Sequence, residues 1–510
     1  MSIKFILAQA TPTNYFWHES ADILVKDHGW EMQYVVGPAS LEQWVRENHP
    51  NAVFHDKGLA KFSRPAPGVD LPPYPLDKRI MDILAPYEER YLEIVGRYLV
   101  KTTDSYALRK QAYLKGVAYW ASVLHHFQPD VVLTRVLPHM GYDFLLHFIA
   151  RAMGIKVVSY DRVFTLGRSI PVRSYEDGPE LARNDYEKGV AEGKHQGAAI
   201  DADLAQVLED VRSDYETGMP DYVKFFHRQK LRPYMPETYY IWKTLVRLGK
   251  GLSWPPYKLF KFRNILNSQY HNWRKKRAYK FLQSNGTLPQ KGEKYIYVGL
   301  QCEPEAPVNP GAGIYSDQTL MIRLLSQSIP ADWTIYVKDH PHQLYHYRPF
   351  PARPKGFYDS LLALGNVRLL PNDTNSFAMI DGSMAAANIG CSISLESIIR
   401  GKPCLLFGQG WNMYCEGTFV CRDKEDVLEA IRSIELGFEV DQRKVDYYMQ
   451  TILEHTVESF TSDDWTTTGH PAPNKENARE LARGVMELYE RYDELPAIPA
   501  PLAGRKLDRS

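Results

Sequence analysis

Cysteine is scarce in this chain, net charge is absent, and no apolar stretch is long, and each shortage removes a class of protein. The five cysteines, Cys302, Cys391, Cys404, Cys415 and Cys421, lie only in the C-terminal half of the 510 residues. They make no CxxC pair and no Cys/His zinc spacing, which excludes a disulfide scaffold and a zinc module. Reduced, mostly buried thiols in a cytoplasmic protein are expected, with no metal. Lys+Arg and Asp+Glu balance at 61 each, so the chain as a whole is no polyelectrolyte binder. No apolar run approaches the roughly 18 residues that span a bilayer. The apolar run near the N-terminus, Ile3 to Ala10, is too short for a signal peptide and reads as a first strand. GxGxxG and GxxxxGK[ST] are both missing, so neither a fingerprinted dinucleotide site nor a P-loop is present.

What is there is alternation. Residues 3–10 and 31–36 are short apolar strands around a helical pattern at Ala21–Lys26, followed by a proline-rich loop from Arg64 to Pro75 and two long helical stretches over 77–127. Val131–Arg135, an amphipathic helix Tyr142–Met153, a stop at Gly154 and a strand ending at Tyr160 complete a first doubly wound series. A second series begins at Lys294 and runs through Trp333–Lys338, Val367–Leu370, Ala386–Ile389 and Cys404–Phe407, with helices between. The expected fold is α/β, two Rossmann-like doubly wound domains with a basic helical insertion. Its parts are residues 1–200, a linker or insert at 201–290, a second domain at 291–473, and a final helix with a loose tail at 474–510.

The insert departs from the neutral mean. From Lys224 to Lys280, fifteen basic residues, including the run Arg274-Lys-Lys-Arg277, are interleaved with aromatics such as Trp242, Trp254, Tyr257 and Trp273, and face the single acid Glu237. Basic residues beside Trp and Tyr suit the anionic inner face of a membrane, and a solvated helical insert packed on the domains is the equal alternative. An RNP-like signature is missing, which argues against nucleic acid.

In a parallel sheet, ligands sit at the carboxyl ends of the strands, where helix N-termini present unpaired N–H groups. Four exits stand out on that rule. Val131–Arg135 leads to His139, and the strand ending at Tyr160 leads into Asp161, so both residues are candidates for polar chemistry. The strand from Trp333 ends in Lys338-Asp-His340-Pro341, and Gly390-Cys-Ser392-Ile-Ser394-Leu-Glu396 reads as a glycine turn opening a helix. The structural alternatives are a helix-capping His139, an Asp161 paired with Arg162 or Arg168, a strand-end His340 and an exposed Glu396.

Gly299-Leu-Gln-Cys-Glu-Pro-Glu305-Ala306, Tyr315-Ser-Asp-Gln318, Tyr336-Val-Lys-Asp-His-Pro341 and Gly390 to Pro403 together resemble the C-terminal half of bacterial capsule and lipopolysaccharide polysaccharide-biosynthesis proteins, including the Kdo transferases. The likeness covers roughly residues 290–410 and is looser over the first domain. It implies a GT-B glycosyltransferase, cytoplasmic and without a metal, whose donor is a nucleotide-activated sugar acid, CMP-linked, bound as substrate with no separate cofactor. Carried over, it gives His340 to the nucleotide phosphate, Ser392 or Ser394 to the same anion, Glu396 to ribose or base, and Lys338 as added charge. It also implies a catalytic carboxylate from the first domain. Asp161-Arg-Val-Phe-Thr-Leu-Gly-Arg-Ser169 is similar to the family's acidic loop but has Tyr160 and Arg162 where that loop has Glu and Gly. Asp161 is then base or nucleophile, and Glu305 is the other carboxylate to test.

The expected partners are the nucleotide-sugar donor and a glycan or lipid-linked acceptor, with peripheral inner-membrane contact through 224–280 and no nucleic acid. A teichoic-acid type CDP-polyol phosphotransferase and a non-catalytic glycan-binding or assembly protein remain as alternatives.

Overall fold

The computed structural model describes residues 2–11, 16–99, 105–215, 259–344, 351–390, 392–459 and 475–496, with single helical positions at 238, 242, 245, 246 and 249. Most of the expected basic aromatic segment before residue 259, and Cys391, fall outside these. The chain divides into two compact units, residues 1–204 with 446–510, and residues 205–445.

The first unit is built on β1 (Lys4–Ala8), β2 (Glu31–Gly37), β3 (Val53–Asp56), β4 (Val131–Thr134), β5 (Lys156–Val163) and β6 (Arg168–Val172), in spatial order 3-2-1-4-5-6. All neighbours are parallel except β5 and β6. β4 is buried at every position and β1 at all but its first, as strands covered by helices on both faces must be. One face carries the helices Lys78–Leu99, Tyr106–Phe127 and Tyr142–Ala152. The other carries Trp17–Lys26 and the late helix Glu476–Glu490, whose Leu481, Ala482 and Val485 pack with Trp17, Phe5 and Tyr160.

The second unit repeats the plan. β7 (Lys294–Gly299), β8 (Trp333–Lys338), β9 (Val367–Leu369), β10 (Ala385–Asn388), β11 (Cys404–Leu406) and β12 (Thr418–Val420) stand in the order 12-11-10-7-8-9, all parallel. In both sheets the winding direction reverses beside the first strand, between β1 and β4 and between β7 and β10. That is where a doubly wound sheet opens a crevice at its carboxyl edge.

Three differences from the sequence reading have physical causes. The strand expected to stop at Tyr160 continues to Val163, and Asp161 pairs with Ile170 of β6 rather than lying in an exit loop. The short helical turn Phe164–Leu166 and Gly167, at φ +62°, fold the chain into a hairpin that the polar residues around it had disguised as loop. The second unit ends near Val445, earlier than residue 473, because the chain from Asp446 onward packs on the first unit. The long basic helix Leu259–Asn285 is lodged on the second unit, with Lys275 and Lys276 buried and Tyr279 and Gln283 donating to Asp373 at 2.8 and 3.0 Å. Tyr270 and Trp273 are stacked and exposed on that helix.

Candidate functional site

The carboxyl edge of the second sheet gathers the donor-site candidates. β7 lies between β8 and β10, so the exits of β8 and β10 are two strand spacings apart, roughly 10 Å. Gly299, the last residue of β7, gives room for the helix Ser392–Ile399 to close over it: a Cβ there would fall 1.9 Å from Cδ1 of Ile393. Gly390 makes the turn into that helix at φ +110°, with its N–H donated to Oδ1 of Asn388 at 2.7 Å, and a Cβ would sit 2.5 Å from the Gln409 carbonyl oxygen. Only glycine fits that combination of angle and contact.

At the end of β8, Lys338 is buried and donates from Nζ to the Thr374 carbonyl (2.6 Å) and to Oγ of Ser376 (2.9 Å). Burial pushes its pKa down to about 8, against the opposing pull of Glu396 and Asp373. Glu396, also buried, has its pKa raised by burial, opposed by a hydrogen bond from Ser392 and by the charge of Lys338. Lys338, Ser376, Ser392 and Glu396 therefore form one electrostatically linked group drawn from three elements.

Asp339 and Arg353 hold the turn that follows. Asp339 accepts the His340 N–H through Oδ1 at 2.7 Å and the Arg353 guanidinium at 2.8 Å, and Tyr358 donates to its other oxygen. Arg353 also meets Glu303 at 2.5 Å and donates to the Gln301 carbonyl at 2.6 Å. Gln318 ties Gln301 and Glu303 together, at 2.7 Å in each case. Burial alone would lower the Arg353 pKa, but Asp339 and Glu303 hold it above its ordinary value. A buried network of this kind fixes one geometry for the backbone it supports.

His340 is half-buried at the top of this turn, and Pro341 begins the short helix Pro341–Leu344, where its missing N–H costs nothing. Nδ1 of His340 accepts the His342 N–H at 3.2 Å, which in the neutral ring leaves the proton on Nε2. A donor N–H suits a phosphate oxygen.

Ser394 leaves the set of anion ligands. It is wholly buried, and its hydroxyl accepts from Nδ2 of Asn412 at 2.8 Å. Positions two apart on a helix point about 200° from each other, so Ser392 and Ser394 cannot face one ligand, whereas Ser392 and Glu396 share a face. Glu305 is half-buried in a turn whose carbonyl takes the N–H groups of Val308 and Asn309 at 3.1 and 3.0 Å.

In the first unit, Asp161 lies in β5 with Oδ1 accepting the Arg162 N–H at 2.8 Å. It keeps some surface, yet its carboxyl is enclosed: burial raises the pKa to about 6, with Arg162 opposing. His139 sits in the loop after β4, its Nδ1 2.9 Å from the Leu137 carbonyl. The residue that organises that loop is Asp143, which accepts the N–H groups of Met140 (2.7 Å), Phe144 (2.8 Å) and His139 (3.3 Å). Asn388, Arg353, Glu303, Ser376 and Asp143 were not singled out from sequence. A polar Asn closing an all-alanine strand and an acid two residues into a helix were the available signals.

Among the described residues no group of His, Cys, Asp and Glu has the arrangement of a metal site, four cysteines are buried and in no disulfide, and no helix is long and apolar enough to cross a membrane. No curated protein matches the chain. Solved structures similar to it include UDP-GlcNAc 2-epimerase from Neisseria meningitidis bound to UDP-GlcNAc, at 12% identity over 89% of this chain and 99% of that one, with a TM-score of 0.25. A glycosyltransferase from Rickettsia africae is similar at 8% identity over 96% and 98%, TM-score 0.24. Anabaena HepE in complex with UDP and glucose is similar at 9% over 95% and 100%, TM-score 0.24. Likenesses this weak carry no argument about activity. The family model described as capsule polysaccharide biosynthesis protein matches residues 235–416, the stretch that holds Lys338, His340, Gly390, Ser392 and Glu396.

Proposed function

We propose that the protein is a glycosyltransferase of capsule polysaccharide biosynthesis that takes its sugar from a nucleotide donor, with the nucleotide on the second unit and the acceptor served by the first. The observation that carries this reading is the linked group Lys338, Ser376, Ser392 and Glu396, beside His340, at the carboxyl edge of β7, β8 and β10, within the stretch that the capsule family model matches. In glycosyl transfer the bond from the anomeric carbon to the nucleotide phosphate breaks, the electron pair leaves on phosphate, and the acceptor hydroxyl gives up its proton as it bonds to that carbon. Stabilising the departing anion needs preorganised donors. The imidazole Nε2–H of His340, the hydroxyl of Ser392 and the start of the helix Ser392–Ile399 supply them. Glu396 serves ribose or base. Asp161, with a pKa near 6, is suited to take the acceptor proton near neutral pH.

The resemblance to Kdo transferases favours a CMP-linked acidic sugar as donor and a lipid-linked or growing surface glycan as acceptor. A thermal-shift panel of CMP, CDP, UDP and GDP tests the choice. A ligand at 100 times its dissociation constant stabilises by about 2.7 kcal/mol, and CMP is expected to lead. CDP-glycerol turnover without sugar transfer would replace this reading with polyol phosphate transfer, and ligand binding without donor turnover would replace it with a binding role.

A further inference from the structure

The helix Leu259–Asn285 splits the basic run Arg274-Lys-Lys-Arg277 between two faces. Lys275 and Lys276 are buried against the second unit, whereas Tyr270, Trp273, Arg277 and Lys280 are exposed. At about 100° per residue, positions 270, 273, 277 and 280 fall within an arc of roughly 80°, so these four make one outward face. The two rings stack with centroids 6.3 Å apart, and guanidinium groups lie over them. Cζ of Arg277 is 4.8 Å from the centre of the Trp273 ring, and Cζ of Arg274 is 5.6 Å from that of Tyr270.

The helix that carries this face is fixed in one orientation. Arg274 donates to the Arg353 carbonyl, the Ala352 N–H donates to Nδ1 of His271 at 3.2 Å, and Leu282 is part of the second unit's core. The same helix packs against Pro341–Leu344, the short helix that follows His340. Scattered exposed apolar residues need no explanation, but a stacked aromatic pair under arginines is a different feature. Seven Lys and Arg and no Asp or Glu occur in the sequence of this helix, while the whole chain is neutral, so its positive charge is local. Trp242, Leu245 and Val246, at helical spacing earlier in the same basic segment, are exposed as well. Aromatic rings with an apolar body and a polar edge, set among cations, match the headgroup layer of a bilayer that bears negative charge.

We propose that Tyr270, Trp273, Arg277 and Lys280 form a docking face for an anionic lipid surface. Docking through this face holds the His340 turn, packed on the same helix, near the lipid. The docking itself does not rest on the glycosyl-transfer reading; joined to that reading, it brings transfer to the surface where a lipid-linked acceptor lies.

Co-sedimentation of the full chain with vesicles of phosphatidylglycerol and phosphatidylcholine in equal parts, and with vesicles of phosphatidylcholine alone, tests it. The protein is expected to bind the anionic vesicles about tenfold or more tighter than the neutral ones, and to lose that preference as salt rises from about 0.1 M to about 1 M. A surface cation is worth about fivefold in such binding, so Arg277→Gln/Lys280→Gln should weaken it about tenfold or more. Tyr270→Ser/Trp273→Ser should weaken it severalfold, and Leu436→Ser, 83% exposed elsewhere on the second unit, should leave it unchanged. Circular dichroism confirms folding of each variant, and the two double variants test the face independently if one does not fold. No binding to anionic vesicles, equal binding to both compositions, or binding unchanged in the folded variants overturns the docking face. Self-association lost in Tyr270→Ser/Trp273→Ser, without vesicle binding, assigns the face to a second copy and overturns it too. The donor reading fails separately: vesicle binding by a protein that binds no nucleotide keeps the docking face and removes the donor site.

Discussion

Lys338 and Asp161 are candidates whose ionisation burial moves toward neutral pH in opposite directions, as burial also raises the pKa of Glu396. Lys338 has its pKa lowered to about 8, so between about pH 8 and its ordinary value of 10.5 the folded protein has released a proton that the unfolded chain keeps. Unfolding free energy attributable to this residue should rise with pH across that window, and the rise should vanish in Lys338→Met, measured by denaturant titration at several pH values. Asp161 has its pKa raised to about 6 from 3.8, so the folded protein holds a proton that the unfolded chain has lost between those values. Its contribution to stability should fall as pH climbs from about 4 to 6, and Asp161→Asn should remove that fall. If Asp161 is the base, the transfer rate should have an acidic limb near pH 6, and Asp161→Asn should cost roughly 10²–10⁴-fold in kcat. The motif Lys-Asp-His-Pro was readable as a strand exit, and its His and Lys stand there. Which serine of Ser392 and Ser394 faces outward was not, because Asn412, eighteen residues on, decides it.

Among the elements, the turn from β8 and the turn from β10 depend on residues that do no chemistry. Arg353 is buried against Asp339 and Glu303, and removing it strands two carboxylates. Arg353→Met should destabilise the protein by about 3–5 kcal/mol in equilibrium denaturation, more than a surface arginine would. Gly390→Ala must place a side chain at φ +110° against the Gln409 carbonyl, and nucleotide binding should be lost along with roughly 1–3 kcal/mol of stability. Most strands and helices were legible because apolar runs and glycine stops mark them. The hairpin strand β6, Arg168–Val172, was not, since it begins with Arg and Ser, contains Pro171 and is covered by the distant Val457, which bridges to Ser169. The five-residue helical turn Lys57–Lys61 was equally invisible, being too short to show a period.

At the scale of the molecule, each unit is a doubly wound sheet, and the first is completed by chain from the far end. Leu481, Val485 and Leu488 of the helix Glu476–Glu490 pack on Trp17 and Tyr160, and Tyr160 donates its hydroxyl to the Leu481 carbonyl. At about 1.5–3 kcal/mol for each buried side chain, that helix contributes a large share of what holds a domain together. Deleting residues 476–510 should abolish cooperative unfolding of the first unit, seen as loss of a calorimetric transition. Two sheets were expected from alternation alone. The boundary near Val445 was hidden because nothing in composition marks it. The central claim, that the carboxyl edge of the second sheet binds a nucleotide through His340, Ser392 and their neighbours, is tested most directly by titrating CMP, CDP, UDP and GDP calorimetrically into the wild-type protein and into His340→Ala. Saturable binding of at least one nucleotide, weakened about tenfold or more by the substitution, is the expected result. Heat changes indistinguishable from dilution for all four, or equal affinity in both proteins, would contradict it.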